Sequence, residues 1–287
     1  VSLLTISDLD QPFENIKPYI DRAQSLGQMY FDYITNVDET QRYEVVDFSS
    51  HGRAVGIHAS EMTKCFRQLV FSIAGVERKI LPEQVDTNMQ MRFKLGTAVH
   101  AMIQSDWKRI ADRSNGLLEF RDEVKIDPKL QQISAEWNLH SSADGEFILN
   151  ESFDKKRPLV KVGLEIKTEA DDGFGKLKQP RPEHREQTCL YMAALDLPLM
   201  WLMYYNKNNS NITTPYAPFL LKFDKDLWEN LLIRFAKATH MASMGQVPDP
   251  QEGHYCKWCS FAWWCQPKAL KVRKKTVISP QMLPRRH

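Results

Sequence analysis

The sequence predicts an α/β domain built on a small mixed sheet flanked by helices, and three observations carry that prediction. The run "PLVKVGLEIKTE" alternates Val160, Val162, Leu164 and Ile166 with Lys161, Gly163, Glu165 and Lys167, the period of a strand with one oily face. Segments with helical spacing stand before and after it, and a second strand-like run, "LMWLMYYNK", follows the later helix. Helix, three strands, helix, strand suits a mixed sheet with helical cover better than a sandwich or a bundle.

Composition bounds the reading. A chain of 287 residues, 43% apolar and 26% charged, can bury one sizeable core or a core with appendages. No apolar run approaches the roughly 18 residues of a membrane span. The opening "VSLLTISDLDQPFE" has acidic rather than basic flanks, so it does not read as a signal peptide, and the expected location is cytoplasmic. Five cysteines is an odd count, and "CKWCSFAWWC" sets three of them in the pattern C-x2-C-x5-C. That spacing is too tight for a disulfide framework and predicts metal binding in a reducing compartment, with Cys189 as a spare. Net charge is only +2, yet residues 1 to 50 hold nine acids against three bases, and residues 266 to 287 hold seven bases and no acid. Such a tail suits a phosphate backbone or, equally, a solvated terminus.

The elements follow in order. Residues 11 to 45 read as helical and define an N-terminal extension, residues 1 to 57. In "GIHASEMTKCFRQLVFSIAG" a helix capped by Ser60 is expected, with Met62, Phe66, Leu69 and Val70 at helical spacing and Cys65 on the helix. Residues 88 to 112 read as a second helix, in which Gly96 permits close packing at some cost in propensity. Strands are expected in "FRDEVKID", "LHSSADGEFIL" and "PLVKVGLEIKTE". The polar loop "ADDGFGKLKQPRP" leads into a helix, "EHREQTCLYMAALD", then the strand "LMWLMYYNK" and a helix over "DLWENLLIRFAKATHMASMG". A basic tail occupies residues 268 to 287.

The chemistry gathers on the central strand. Glu165 and Lys167 are two residues apart, so they share a face, roughly 7 Å apart along the backbone. "SSADGE" sets Asp144 at the start of the preceding strand, beside a glycine that lets the backbone approach a ligand closely. An Asp and a Glu from neighbouring strands are hard oxygen ligands for Mg²⁺ or Mn²⁺, and a nearby Lys can position the attacking water. A salt-bridged sheet edge would also show E-x-K. Two helical pairs add context: Gly96 and His100 form G-x3-H, and Gln187 and Tyr191 form Q-x3-Y, each pair on one helical face.

Taken in order, His100, Asp144, Glu165-Ile166-Lys167, Gln187 and Tyr191 resemble the active-site series of the RecB-type branch of the PD-(D/E)XK nucleases. The resemblance spans roughly residues 58 to 267 and implies a restriction-endonuclease-like core. It implies that His100, Asp144, Glu165 and the Ile166 carbonyl bind the catalytic metal, that Lys167 assists the water, and that Gln187 and Tyr191 orient Lys167 and the scissile strand. It also resembles the iron–sulfur members, as in AddB-type subunits and the exonuclease of CRISPR spacer acquisition, which bracket the core with one early cysteine and a late C-x2-C-x5-C. Cys65, Cys256, Cys259 and Cys265 match that set and imply a [4Fe-4S] staple. Thiolate chemistry alone leaves zinc open, either on four cysteines or as a local site using His254 without Cys65.

The resemblance implies a Mg²⁺- or Mn²⁺-dependent deoxyribonuclease, an exonuclease on single-stranded or frayed DNA ends, with 5′ to 3′ polarity common in the family. It implies a bacterial or phage setting. Loop bases Lys176, Lys178, Arg181 and Arg185, with His184 at the helix start, are the candidate DNA contacts; solvated loop residues are the alternative. Tyr255, Trp258, Phe261, Trp263 and Trp264 would either wrap a buried cluster or stack on unpaired bases. No G-x4-G-K-[ST] loop is present, so the chain is expected to work free-standing or with a separate helicase or recombination protein. Two rival readings stand: a non-catalytic nucleic-acid-binding protein with a metal-stapled fold, and a structure-specific endonuclease on the same core.

Overall fold

The computed structural model describes residues 6–11, 13–36, 57–79, 87–126, 139–150, 159–208, 216–251, 253, 256 and 259–265. His254, Tyr255, Trp258, residues 37–45 of the extension and the basic tail lie outside the described residues. Contacts divide the chain into two compact units. The first comprises the described residues of Val1–Gly52, Phe93–Ile126 and Ser142–Asp224; the second, those of Arg53–Arg92, Asp127–Ser141 and Lys225–His287.

The first unit is the expected α/β core. Five strands form one mixed sheet in the order β1 (Leu118–Lys125), β2 (Ser142–Leu149), β3 (Val160–Glu169), β4 (Leu199–Asn206) and β5 (Tyr216–Lys222). All neighbours are antiparallel except β3 and β4, which run parallel. A parallel pair needs a crossover, and the chain between them supplies a short turn of helix, α5 (Asp171–Phe174), and then α6 (Pro182–Leu195). No strand is expected at β5 from the sequence. Pro218 argues against a central strand, but β5 is an edge, where a missing N–H is tolerated.

The alternation of β3 is realised in burial. Val160, Val162, Leu164 and Ile166 are fully buried, in one apolar cluster with residues of two helices, α1 (Phe13–Thr35) and α4 (Thr87–Arg113). Val99, Ile103 and Trp107 recur every four residues on α4, giving the apolar stripe that a sheet-packing helix requires. Trp107 meets Phe147 edge-on at 4.5 Å and stacks on Tyr30 of α1 at 5.0 Å. The helix expected in the N-terminal extension is therefore present as α1, and Ala23, Leu26 and Tyr30 place it within the core of this unit.

Two glycines differ from expectation. A Cβ on Gly145 would lie 2.5 Å from the Phe120 ring, so its absence makes room for an aromatic rather than for a ligand. A Cβ on Gly96 would meet only Thr168 Oγ1 at 3.6 Å, an ordinary contact, so close packing does not explain that residue.

The second unit contains α2 (Ala59–Met62), α3 (Phe66–Ile73), α7 (Lys225–Ser243) and α8 (Ala262–Cys265). The single helix expected within residues 56 to 75, capped by Ser60, is two. His58 rather than Ser60 is the N-cap of α2, and Cys65 is the N-cap of α3 rather than a residue within a helix. The break leaves carbonyls without helical partners, and Arg234 of α7 donates to two of them, Met62 O at 3.1 Å and Lys64 O at 2.5 Å. Among the described residues no helix is long and apolar enough to cross a membrane.

Candidate active site

Asp144 and Glu165 belong to adjacent antiparallel strands, and the pairing of Gly145 with Leu164 puts them side by side in the first unit. The Asp144 carboxylate is held from two directions. Oδ1 lies 3.0 Å from His100 Nδ1, and Oδ2 accepts the Ile166 N–H at 2.5 Å. Ile166 thus meets Asp144 through its N–H, whereas the carbonyl expected as a ligand belongs to the next peptide. Burial depresses the His100 pKa, but the charge and hydrogen bond of Asp144, with help from Glu165, outweigh it and the net shift is upward.

Glu165 and Lys167 share a face, as their spacing requires, but on a central strand rather than an exposed edge. Glu165 is only 3% exposed. Its Oε1 accepts from Lys167 Nζ at 2.5 Å and from Gln187 Nε2 at 3.0 Å. The Gln187 amide also accepts from Lys167 Nζ at 3.0 Å and donates to Tyr191 Oη at 3.0 Å. Gln187 and Tyr191 lie one turn apart on α6, so one helix face fixes the positions of both charged groups. Burial raises the Glu165 carboxyl from 4.5 to about 7, with Lys167 opposing the rise and Asp144 adding to it.

The donor set fits a hard divalent cation. Glu165 Oε2 is buried and has no hydrogen-bond partner, a costly state for a carboxylate oxygen and one that a cation would relieve. Asp144, Glu165 and His100 are the side chains that would hold such an ion. Among the described residues, no three His, Cys, Asp or Glu side chains already converge as a metal cage. Both Asp144 oxygens are engaged, so ligation would exchange the His100 contact for a shared ion.

Four residues around the site carry no motif. Gln104, one turn beyond His100, donates to the Asp144 carbonyl at 2.8 Å and to Glu123 Oε1 at 3.1 Å. The i, i+4 spacing from His100 is the signal that would have found Gln104. Ser142 Oγ donates to Glu123 Oε2 at 2.8 Å. Tyr204 Oη accepts the Arg181 N–H at 3.1 Å and lies 2.7 Å from His184 Nδ1, and burial pushes its phenol up to about 12.

The expected DNA contacts fall into two groups. Lys176 and Lys178 are exposed, with no acidic partner among the described residues. Arg181 pairs with Glu169 at 2.8 Å, Arg185 with Asp224 at 3.2 Å, and His184 is held by Tyr204.

The four cysteines of the expected cluster all belong to the second unit. Burial raises the Cys259 and Cys265 thiols, and each also feels the charges of Cys65 and Cys256, so the four lie within electrostatic reach of one another. Arg67 and Gln68 of α3 approach the group. Arg67 Nη1 is 3.5 Å from Cys265 Sγ, and Gln68 Oε1 is 3.8 Å from Cys259 Sγ. Of the aromatics, Phe261 is fully buried and packs with Trp264 on Phe71, while Trp263 faces the Lys79 ammonium at 4.7 Å. Cys189 belongs to the first unit, where burial pushes its thiol up to about 12.

No family model matches the chain, and no curated protein matches it. Among solved structures it is similar to SSO0001, with a TM-score of 0.44 and 16% identity over 84% of this chain and 94% of that one. It is also similar to the alkaline exonuclease LHK-Exo from Laribacter hongkongensis, with a TM-score of 0.44 and 13% identity over 77% of this chain and 96% of that one. The complex of LHK-Exo with dAMP gives 0.43 and 12%, over 76% and 94%. Likenesses of this degree leave the chemistry to the side chains of the site itself.

Proposed function

We propose that the protein is a metal-dependent deoxyribonuclease that hydrolyses phosphodiester bonds of single-stranded or frayed DNA ends. The observation that carries this reading is the buried Glu165 carboxylate, one oxygen bound by Lys167 and Gln187, the other without a partner, beside the carboxylate of Asp144. Two adjacent carboxylates, one of them paired with a lysine through a shared glutamine amide, have no use in merely holding a polyanion, whose charge they repel.

A divalent cation, Mg²⁺ or Mn²⁺, would supply positive charge that polarises a phosphate and makes water a better nucleophile. The chain's own residues do the rest. Asp144 and Glu165 would present oxygens to the cation, and His100 would exchange its contact with Asp144 for the shared ion. Lys167 stands where it can orient a water against the phosphate, and Gln187 and Tyr191 keep its ammonium from swinging away. Burial strengthens each of these electrostatic contacts. Lys176 and Lys178 offer exposed charge for the strand's backbone. In the second unit, Cys65, Cys256, Cys259 and Cys265 hold a [4Fe-4S] cluster as a staple joining α3 to the C-terminal segment. The protein works free-standing or with a separate helicase or recombination protein, and degradation runs 5′ to 3′ from an end.

The test is an end-labelled single-stranded DNA incubated with the protein and Mn²⁺, with Mg²⁺, and with chelator. Metal-dependent shortening from the 5′ end supports the reading. Stable binding with no cleavage under either metal would make this a non-catalytic nucleic-acid-binding protein.

A further inference from the structure

Three residues other than glycine have positive φ among those described, and two of them are conventional: Asn115 follows α4 in a turn and Asp196 is the left-handed C-cap of α6. The third, Glu123, has φ 48° within strand β1, where an extended backbone is the rule. A glutamate gains nothing locally from the left-handed region, so surrounding contacts must hold it there. The β1–β2 register steps from Asp122↔Gly145 to Val124↔Ala143 and passes over the residue opposite Glu123, which is Asp144. The strained residue and the candidate metal ligand therefore face each other across a gap in the ladder.

The gap is filled by a side chain. Gln104, 8% exposed, sends its amide nitrogen to the Asp144 carbonyl at 2.8 Å and to Glu123 Oε1 at 3.1 Å. The other Glu123 oxygen accepts from Ser142 Oγ at 2.8 Å, two residues before Asp144 on the same strand. Asp144 is thereby pinned at its carbonyl by Gln104 and at its carboxylate by His100 and the Ile166 N–H. Without Glu123 the Gln104 amide loses its second anchor and can rotate off the Asp144 carbonyl.

We propose that Glu123 and Gln104 are a positioning pair for Asp144, in which a strained backbone at residue 123 keeps the Asp144 peptide out of the ladder and its carboxylate aimed at a divalent cation. The inference rests on the metal-dependent reading of the site. Outer contacts of this kind typically govern metal affinity by about 10- to 100-fold when removed.

The experiment compares the full chain with Glu123→Gly and Glu123→Gln, measuring Mn²⁺ affinity by calorimetry, melting temperature without metal, and cleavage of linear single-stranded DNA. Glycine accepts φ 48° without penalty but removes the carboxylate, whereas glutamine keeps an acceptor for Gln104. Expected for Glu123→Gly is a melting temperature at or above the wild-type value, with Mn²⁺ Kd raised about tenfold and kcat lowered. Glu123→Gln should recover most of the affinity. Wild-type Mn²⁺ affinity and kcat in Glu123→Gly would overturn the proposal. So would a fall in melting temperature matching the lost affinity, which would make Glu123 a folding residue. A wild-type protein that binds no Mn²⁺ would instead defeat the functional reading, and this inference with it.

Discussion

Replacing Glu165 with Gln should stabilise the metal-free protein at alkaline pH and remove one component of its pH dependence. The carboxyl is 3% exposed, and burial, against the opposing pull of Lys167, raises it from 4.5 to about 7. Between those values the native carboxyl keeps a proton that the unfolded chain has released. The native state then binds more protons than the unfolded state, so stability is full below about pH 4.5 and falls as pH rises through 7. The displacement, 7 minus 4.5, is about 2.5 pH units, and at about 1.36 kcal/mol per unit it amounts to roughly 3 kcal/mol. Glutamine keeps the acceptor that Lys167 and Gln187 use but has no charge to bury. The assay is urea unfolding of both proteins at pH 5 and pH 8 with chelator present. Wild type should lose roughly 2 to 3 kcal/mol more than Glu165→Gln between the two, since pH 5 already lies a little above 4.5 and the other titrating groups are common to both. Mn²⁺ should restore stability at pH 8 in wild type and much less in the variant. Parallel pH dependences would refute the reasoning.

Two further outcomes are expected. Protein purified without oxygen should be brown, with about four irons and four sulfides per chain, and Cys65→Ala should lose both colour and thermal stability; a colourless protein with one zinc that tolerates Cys65→Ala but is damaged by His254→Ala would replace the cluster with a local zinc site. Linear single-stranded DNA should be degraded stepwise while the covalently closed circular form of the same strand survives; equal loss of both would make the protein an endonuclease.

Local periodicity made most of the core legible. β3 could be read because one of its faces is oily, and α4 and α6 because their chemical residues repeat one turn apart. The pairing of Glu165 with Lys167 follows from strand geometry alone. The remainder depends on partners distant in sequence. The break between α2 and α3 is stabilised by Arg234, some 170 residues away, which no local signal reveals. β5 hides behind Pro218, because only its place at the edge of the sheet makes that residue acceptable. The left-handed backbone of Glu123 was invisible for the same reason: the residues that hold it, Gln104 and Ser142, come from a helix before it and a strand after it. The rise in Glu165 pKa likewise depends on burial that spacing does not report.

The central claim is that Asp144, Glu165 and Lys167 form a hydrolytic site in which the carboxylates hold the metal and the lysine serves turnover. It is tested most directly by measuring Mn²⁺ affinity and single-stranded DNA cleavage side by side in wild type, Glu165→Ala and Lys167→Ala. Wild type should bind and cleave, Glu165→Ala should lose both, and Lys167→Ala should bind Mn²⁺ and DNA nearly as wild type while turnover disappears. Robust cleavage by either variant would place the chemistry elsewhere in the chain and contradict the account.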